Sequence, residues 1–399
     1  MDTRPSALLM TVTGPDRPGI TSAITAVMAT HQVEILDVEQ AVSGGNLSLS
    51  FRLDVPWEDR TRPLFKDLIY VAWSLDVRVE FKPLSAAELS APPRTHYALT
   101  LLGAPITAEA LSQIASVLAE HKVNIDRITR LSEGDLSCLE MSISSLDGRS
   151  LAGMKQLLLP VANSGGVDLA LQREGVARRV KRLVVFDMDS TLIQAEIIDE
   201  LARARGIYDE VAAITHRAMA GEMDFCESLR KRVAMLEGTE VATLEAVMKA
   251  VPLMPGARDL VTVLKRLGYR TAVISGGFSF FTDRLKSHLG LDYAYSNRLE
   301  IENGVVTGKV LGGILDGQRK ADLLETLAQS EGVGLDQVIA IGDGANDLPM
   351  LERAGLGIAF NAKRAVREKA GQAINRPRLD SILYLLGFKA SEIAELVRG

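Results

Sequence analysis

The stretch LVVFDMDST at residues 183–191 decides the fold of the larger part of this 399-residue chain. Its four leading apolar residues predict a strand buried on both faces, as in a parallel sheet, and Asp187 and Asp189 follow it. Open α/β sheets bind their ligands at the carboxyl ends of the strands. Strand alternation would place both carboxylates on one side, where their repulsion favours a bound cation or a shared proton. The stretch therefore predicts a catalytic site that holds a metal ion.

Acidic residues after a strand are also common in turns and helix caps, so this stretch alone leaves that interpretation open. Two further apolar strands are predicted at residues 270–274 and 337–341. The first ends in SGG at residues 275–277, and the second ends in GDGAND at residues 342–347. Lys320 follows a glycine-containing turn between them. Carboxylates, a hydroxyl group, backbone donors and a cation are the groups that phosphoryl transfer requires.

The predicted substrate is a phosphate monoester. A dianionic phosphate needs fixed donors, which Ser275, the Gly276 amide and Lys320 supply in this interpretation. A hard divalent cation, usually Mg²⁺, neutralises charge as the bond to the leaving oxygen stretches. Asp187 and Asp343 are the expected side-chain ligands of that ion.

In this order, the four motifs resemble those of the haloacid dehalogenase superfamily of phosphotransferases, and within it the phosphoserine phosphatases. The resemblance extends from about residue 181 to the C-terminus and implies a doubly wound parallel-sheet α/β core with a helical cap. It implies that Asp187 attacks phosphorus and forms an aspartyl-phosphate. Asp189 would act as general acid and base and offer its carbonyl to Mg²⁺, while Asn346 and Asp347 would complete the metal and phosphate shell. An acid at Asp189 favours a phosphate ester, because a halide leaves without a proton.

Residues 195–255 are predicted to form the helical cap, since apolar residues recur there at helical spacing. A cap that closes over the site excludes water. The resemblance implies that Glu196 and Arg232 bind the ammonium and carboxylate groups of O-phospho-L-serine, and a planar guanidinium suits a carboxylate. Met219 and Phe225 are candidate apolar walls of the site. From the pattern alone, Glu196 would be an ordinary first-turn helix acid, and Arg232 would be a solvated charge on a basic face.

Residues 1–84 and 95–174 repeat one pattern, in which a strand and an amphipathic helix precede alternating strands. The order β-α-β-β-α-β is a ferredoxin-like α+β plan. Both repeats resemble ACT domains, which are regulatory modules that bind amino acids. The resemblance implies a homodimer, and it makes L-serine, the expected product, the candidate effector.

The first repeat carries the loop GPDRPGI at residues 14–20, in which Asp16 and Gly19 are candidate effector-binding residues. Glycines in such a loop let a ligand approach the backbone closely. Gly103 of the second repeat, at the position equivalent to Gly14, is a further candidate, although this repeat lacks the Asp-Arg-Pro-Gly element and its ligand binding is therefore in doubt. A simple turn into a helix is the alternative interpretation of the first loop.

Composition points to a cytoplasmic enzyme without a nucleic-acid or membrane partner. The formal net charge is -6, which argues against a broad nucleic-acid footprint. No apolar stretch is long enough to span a bilayer, and the N-terminus lacks a signal-peptide pattern. Cys138 and Cys226 fall in different predicted domains, so we expect no disulfide. The basic segments at residues 175–182 and 363–369 are interpreted as solvated.

Two other functions stay open at this point. The same core could act on another small phosphate ester, for example one without an amine. The chain could also be an amino-acid-sensing binding protein whose phosphatase domain is inactive.

Overall fold

This computed structural model describes residues 7–55, 61–85, 88, 94–132, 136–219 and 222–398. The chain divides into two units, residues 1–93 and residues 94–399. The predicted boundary between the two repeats falls mostly outside the described residues. None of the described helices is both long and apolar enough to cross a bilayer.

The unit of residues 1–93 is a four-stranded antiparallel sheet with two helices. Its elements are β1 (Ala7–Pro15), α1 (Ile20–Thr30), β2 (Glu34–Ser43), β3 (Asn46–Asp54), α2 (Arg62–Ser74) and β4 (Arg78–Leu84). The strand order is β2-β3-β1-β4. On β1, every second residue from Leu8 to Val12 is buried, and on α1 the buried residues recur at every fourth position from Ile20. These two periods bring one face of each element into a common core, and the expected β-α-β-β-α-β order is confirmed.

The second unit begins with the same plan. Its elements are β5 (His96–Gly103), α3 (Ala108–Glu120), β6 (Val123–Arg130), β7 (Ser137–Ser145), α4 (Met154–Ser164) and β8 (Asp168–Arg173). The strand order β6-β7-β5-β8 matches that of the first repeat. Thr107 caps α3 by accepting a hydrogen bond from the Ala110 amide at 3.1 Å, which satisfies one of the free donors of the first helical turn.

The remainder of the second unit is built on a seven-stranded sheet. Its strands are β9 (Leu183–Phe186), β10 (Arg270–Phe278), β11 (Tyr293–Glu302), β12 (Val305–Leu311), β13 (Val338–Gly342), β14 (Leu356–Phe360) and β15 (Gln372–Ile374). Its helices are α5 (Val176–Arg179), α6 (Ile197–Arg205), α7 (Tyr208–Met219), α8 (Phe225–Ala234), α9 (Val241–Ala250), α10 (Ala257–Arg266), α11 (Ser279–Leu289), α12 (Gly317–Ser330), α13 (Leu348–Arg353), α14 (Arg364–Lys369) and α15 (Ala390–Arg398). Short 3₁₀ turns are found at Leu335–Gln337, Ala345–Asp347 and Leu379–Leu386. Helices α6 to α9 are the predicted helical insertion after the first motif.

The strand that carries the first motif lies at the centre of this sheet. The order is β12-β11-β10-β9-β13-β14-β15, so β10 and β13 flank β9 on either side and run parallel to it. Phe186 and Val184 enter one hydrophobic core, and Val185 and Leu183 enter the other. Burial on both faces explains the unbroken apolar run in the sequence. The carboxyl ends of the three motif strands therefore meet at one edge of the sheet.

One predicted strand boundary was wrong. Strand β10 continues to Phe278 instead of ending at Ile274, because β11 pairs with it as far as Phe278 after a register shift. The antiparallel hairpin of β11 and β12 has the expected turn, in which Asn303 and Gly304 have φ of 51° and 79°. Two consecutive positive φ values are characteristic of the tight turn that suits twisted strands.

The predicted solvated linker at residues 175–182 is only partly solvated, since Val176 and Arg182 are exposed but two basic side chains are covered. The Arg178 side chain is only 9% exposed and forms an ion pair with Glu140 of β7. Lys181 is buried and donates a hydrogen bond to the Asp336 carbonyl. The prediction was wrong for these two side chains because it rested on the local sequence. The segments that cover them are distant along the chain.

Polar contacts also attach the second repeat to the edge strand of the large sheet. The Gln372 side chain of β15 accepts from the Leu171 amide at 2.9 Å and donates to the Leu171 carbonyl at 2.7 Å. The side-chain amide of Gln372 in β15 therefore makes with β8 the two hydrogen bonds that a backbone residue makes with a neighbouring strand. Lys155 of α4 donates to the Ala370 and Gly371 carbonyls, both at 2.6 Å. These contacts join the two sheets into one unit.

Lys155 should give the stability of this unit a measurable pH dependence. Burial lowers its pKa from an ordinary 10.5 to about 8. Between these pH values the unfolded chain still holds the proton that the folded chain releases, so stability attributable to this group rises with pH. From pH 7 to pH 10, the free energy of unfolding of the native chain should rise by about 2 kcal/mol or less relative to Lys155→Met. Denaturant titrations at both pH values measure this, with the exposed Lys249→Met as control, and an equal change in all three proteins would contradict it.

Candidate active site

The predicted site residues meet where β9, β10 and β13 end. Asp187 follows β9 directly, and its amide donates to the Ile341 carbonyl of β13 at 2.8 Å. A cavity of about 130 Å³ opens at this edge. The predicted residues that line it are Asp187, Asp189, Glu196, Phe225, Arg232, Gly276, Asp343 and Asn346. Ser275, Lys320 and Asp347 are fully buried, and the side chain of Met219 lies outside the described part of the structure.

A cluster of three carboxylates is the electrostatic centre of the site. Asp187, Asp343 and Asp347 each offer an oxygen, and these atoms lie within 4.8 Å of one another. Burial, together with the charge of Asp347, raises the pKa of Asp187 to about 7, against the opposing effect of Lys320. Burial, together with the charge of Asp187, raises the pKa of Asp343 to about 8. Oxygen ligands that repel one another in a buried place are the donor set of a hard divalent cation, so these residues fit such an ion.

Lys320 holds two of these carboxylates from beneath the cavity. Its Nζ donates to Asp187 Oδ1 at 2.8 Å and to Asp347 Oδ1 at 2.7 Å. Burial opposes the charge of Lys320, but the two carboxylates outweigh burial and raise its pKa. The lysine reaches this position from the first turn of α12, whose N-terminus is capped by Asp316. An ammonium group that is buried but doubly paired is a fixed positive charge next to Asp187.

Asp347 stabilises the loop that carries the second acidic cluster. While one of its oxygens binds Lys320, the other accepts from the Gly344 amide at 2.9 Å. A Cβ at Gly342 would lie 2.6 Å from the Asp347 carboxylate. The close approach of Asp347 to the end of β13 therefore requires glycine at position 342.

Asp189 lies between the cap and the end of β10. Its Oδ1 accepts from the Ile197 amide at 3.2 Å, at the N-terminus of α6. Burial, Glu196 and Asp187 raise its pKa well above the usual range. A Cβ at Gly277 would lie 3.1 Å from Asp189 Oδ2, so this glycine leaves room for the carboxyl group. A carboxyl group with a raised pKa is suited to hold a proton near neutral pH.

Two opposite charges of the cap complete the cavity. Burial raises the pKa of Glu196, although the Ser190 hydroxyl donates to it at 2.9 Å and opposes the shift. Burial lowers the pKa of Arg232, while Asp199, Glu196 and Asp189 oppose the shift. The Phe225 ring stands over Gly276 near the end of β10, where an added Cβ would meet it at 3.2 Å. The cavity can therefore contact both charges of a zwitterionic ligand and, at the same time, an anionic group of that ligand.

Comparison with known proteins agrees with this geometry. The profile of the haloacid dehalogenase-like hydrolases matches residues 184–352, and ACT domain profiles match residues 6–82 and 94–172. A phosphoserine phosphatase of Streptomyces coelicolor is 44% identical over 97% of this chain and 93% of its own length. One from Mycobacterium tuberculosis is 44% identical over 97% of this chain and 94% of its own. This chain belongs to the phosphoserine phosphatase family of haloacid dehalogenase-like hydrolases.

Solved structures support the same family. The crystal structure of a hydrolase of this superfamily from Salmonella enterica serovar Typhi has a TM-score of 0.64 at 33% identity, covering 72% of this chain and 98% of its own. A probable phosphoserine phosphatase from Vibrio cholerae, in unliganded form, has a TM-score of 0.56 at 35% identity, with coverage of 75% and 88%. The expected fold class, a parallel-sheet hydrolase core preceded by two ACT domains, is confirmed.

Sequence reasoning about this hydrolase missed three supporting residues. Thr191 donates from its hydroxyl to Asp343 Oδ1 at 3.2 Å and so links the first and last motifs. Ser190, which adopts φ of 55°, orients Glu196. Asp199 faces Arg232 from one turn beyond Glu196. The spacing of three residues from Glu196 on a predicted helix was the signal that could have identified Asp199.

The candidate effector-binding loops of the two ACT domains differ in local geometry. Gly19 has φ of 97° at the start of α1, and nothing lies within 4 Å of an added Cβ. Asp16 is exposed, and its amide donates to the Gly45 carbonyl at 2.8 Å. At Gly103, by contrast, an added Cβ would lie 2.7 Å from Ile106 and 3.0 Å from the Pro105 carbonyl. The first loop therefore has open space at Gly19, whereas the space is filled at Gly103 and also at its counterpart Gly14, where an added Cβ would lie 2.9 Å from Val77.

Proposed function

We propose that this hydrolase converts O-phospho-L-serine and water to L-serine and phosphate, the last step of serine biosynthesis. The observation that carries the proposal is that Glu196 and Arg232 line the same cavity as Asp187 and Asp189. Those two opposite charges match the ammonium and carboxylate groups of the substrate. The names of the relatives in Streptomyces coelicolor and Mycobacterium tuberculosis support the same substrate.

In the proposed mechanism, the Asp187 carboxylate attacks phosphorus and the bond to the seryl oxygen breaks. Asp189 donates its proton to that leaving oxygen, which becomes the hydroxyl group of serine. The same carboxylate then takes a proton from water, whose oxygen attacks the aspartyl-phosphate and releases phosphate. Ser275, the Gly276 amide, Lys320 and Asn346 are the proposed phosphate-binding groups. Phe225 and Met219 are the proposed apolar walls.

Mg²⁺ is the proposed cofactor. Asp187 and Asp343 would hold it, with the Asp189 carbonyl and Asp347 as further ligands, since the carboxylate cluster offers oxygen donors in a buried place. When bound, the ion supplies charge neutralisation for the phosphoryl group during transfer. Asp347 also binds Lys320 and the Gly344 amide, so besides contacting the ion it would orient the other groups.

The first test is phosphate release from O-phospho-L-serine. We expect release in Mg²⁺, a loss of at least about 100-fold on removal of divalent ions with EDTA, and recovery when Mg²⁺ is restored. Release that EDTA leaves unchanged would contradict the metal role. Turnover of a different ester only would discard the roles of Glu196 and Arg232, and no turnover of any ester would favour an amino-acid-sensing binding protein.

We further propose that L-serine regulates this enzyme at the open loop of the first ACT domain. Titration calorimetry of the Asp187→Asn chain with L-serine should detect a binding site that Gly19→Val removes. Gly148 is a matched control, because it also has a positive φ and open space around an added Cβ, and Gly148→Val should retain the site. Absence of serine binding, or binding that Gly19→Val leaves unchanged, would contradict regulation at this loop.

The homodimer implied by the family is part of the proposal. Strand β2 is an edge strand of its sheet, and Leu36, Val38 and Val42 on it are about half exposed. An exposed apolar edge strand favours pairing with another chain. Sedimentation equilibrium of the full chain tests this, and a monomer at micromolar concentration would contradict it.

A further inference from the structure

A second cavity lies at the junction between the second ACT domain and the phosphatase domain. Its volume is about 450 Å³, against about 130 Å³ for the active-site cavity. One wall consists of α4 and β8, and the other consists of α14 and β15. This volume is within the range of small-molecule sites, which often occur between domains.

The two walls of the junction cavity are held in place by contacts outside it. Gln372 pairs with the Leu171 backbone, and Lys155 binds two carbonyls just before β15. Val167 and Leu169, each only 3% exposed, form a buried apolar part of an otherwise mostly polar lining. A cavity between walls that are already fixed needs little reorganisation to receive a ligand.

The anionic groups in the junction cavity are already paired. Asp168 accepts from the Asn375 amide and from Asn375 Nδ2, both at 2.9 Å, and pairs with Arg376 at 2.9 Å. Glu368 pairs with Arg364 at 2.7 Å. Neither carboxylate therefore has its charge available for a ligand cation.

Arg367 has no such partner. The sequence pattern predicts a solvated face for this segment, but Arg367 is half-buried and lines the cavity. Its Nε is buried and has no hydrogen-bond acceptor, and its guanidinium has no ion-pair partner among the described residues. The part of the guanidinium that lines the cavity is therefore free to pair with an anion, and its planar geometry matches carboxylate and phosphate oxygens.

We propose that the junction cavity binds a small organic anion, whose carboxylate or phosphate group pairs with Arg367. The short apolar part of this anion packs against Val167 and Leu169, and Asn163 stands at the exposed rim. Such a ligand contacts the second ACT domain and the phosphatase domain together. The residues that line the junction cavity include none from the open loop of the first ACT domain and none from the carboxylate cluster.

Saturation-transfer NMR on the full chain with Mg²⁺ tests the proposal with two probes, succinate for the carboxylate and methylphosphonate for the phosphate. Four proteins are compared, namely the native chain, Arg367→Gln, Asn163→Trp and Lys369→Gln. Lys369 is the matched control, because it lies on the same helix and is exposed but does not line the cavity. Binding at the active site contributes equally to all four proteins.

We expect Arg367→Gln and Asn163→Trp to weaken the binding of at least one probe, beyond its equal active-site contribution, by at least about tenfold, and Lys369→Gln to leave it unchanged. The probe that is affected identifies the anionic group. If Arg367→Gln fails to fold, Asn163→Trp decides, because Asn163 is exposed and its replacement blocks the rim without removing a buried charge. The proposal is overturned if a folded Arg367→Gln binds both probes as the native chain does, or if Asn163→Trp leaves binding unchanged.

Discussion

Asp187→Asn is expected to lower kcat for phosphate release from O-phospho-L-serine by at least about 10⁴-fold. The amide has nearly the same shape as the carboxylate, but it cannot attack phosphorus and it is a poorer metal ligand. A discontinuous phosphate assay under saturating substrate and Mg²⁺ measures the effect. Asp209 lies exposed on α7, and Asp209→Asn should retain the native rate.

The same variant separates loss of chemistry from loss of fold. The raised pKa of Asp187 means that, without a bound metal ion, a negative charge on this carboxyl group is unfavourable even beside Lys320. Lys320 keeps its second partner, Asp347, when Asp187 is replaced. Without added metal, the melting temperature of Asp187→Asn should therefore equal or exceed that of the native chain. A retained rate would remove Asp187 from the nucleophile role, and a large drop in melting temperature would mean that the rate reports unfolding.

Arg232→Gln is expected to change substrate preference more than it changes folding. It should lower kcat/KM for O-phospho-L-serine by about 100-fold, since a charge-assisted contact is worth roughly 1.5–3 kcal/mol. For phosphoethanolamine, which lacks the carboxylate, the loss should be less than about threefold, because the missing contact is absent in both proteins. Steady-state kinetics with both esters measure the two ratios.

Arg230 provides the control for this experiment. It lies on the same helix, α8, and is exposed, whereas Arg232 is largely buried and lines the cavity. Arg230→Gln should leave both ratios near one. Equal losses on the two esters in Arg232→Gln would indicate a general role of Arg232 in cap closure, and would contradict carboxylate recognition.

Local patterns in the chain predicted much of the fold. The run LVVF before Asp187 is fully apolar because β9 is buried on both faces. Alternation on β1 and a period of four on α1 identified the ferredoxin-like repeats. Asn303-Gly304 predicted the tight hairpin, since both residues adopt positive φ there. In each case the signal lies within a few neighbouring residues, and its physical cause is equally local.

Arrangement and burial were decided only by the tertiary structure. That β9 lies between β10 and β13 is a property of the sheet, and it alone brings Lys320 to Asp187 and Asp347. The basic segments around Arg178 and Arg367 look solvated in the sequence, yet at the domain junction Arg178 is covered and Arg367 is half-buried. A charge is solvated or buried according to what packs against it, and the covering residues are distant along the chain. By itself, therefore, the sequence determined which groups the site contains and the elements that carry them. Long-range packing decided how these groups are paired, and it created the junction cavity.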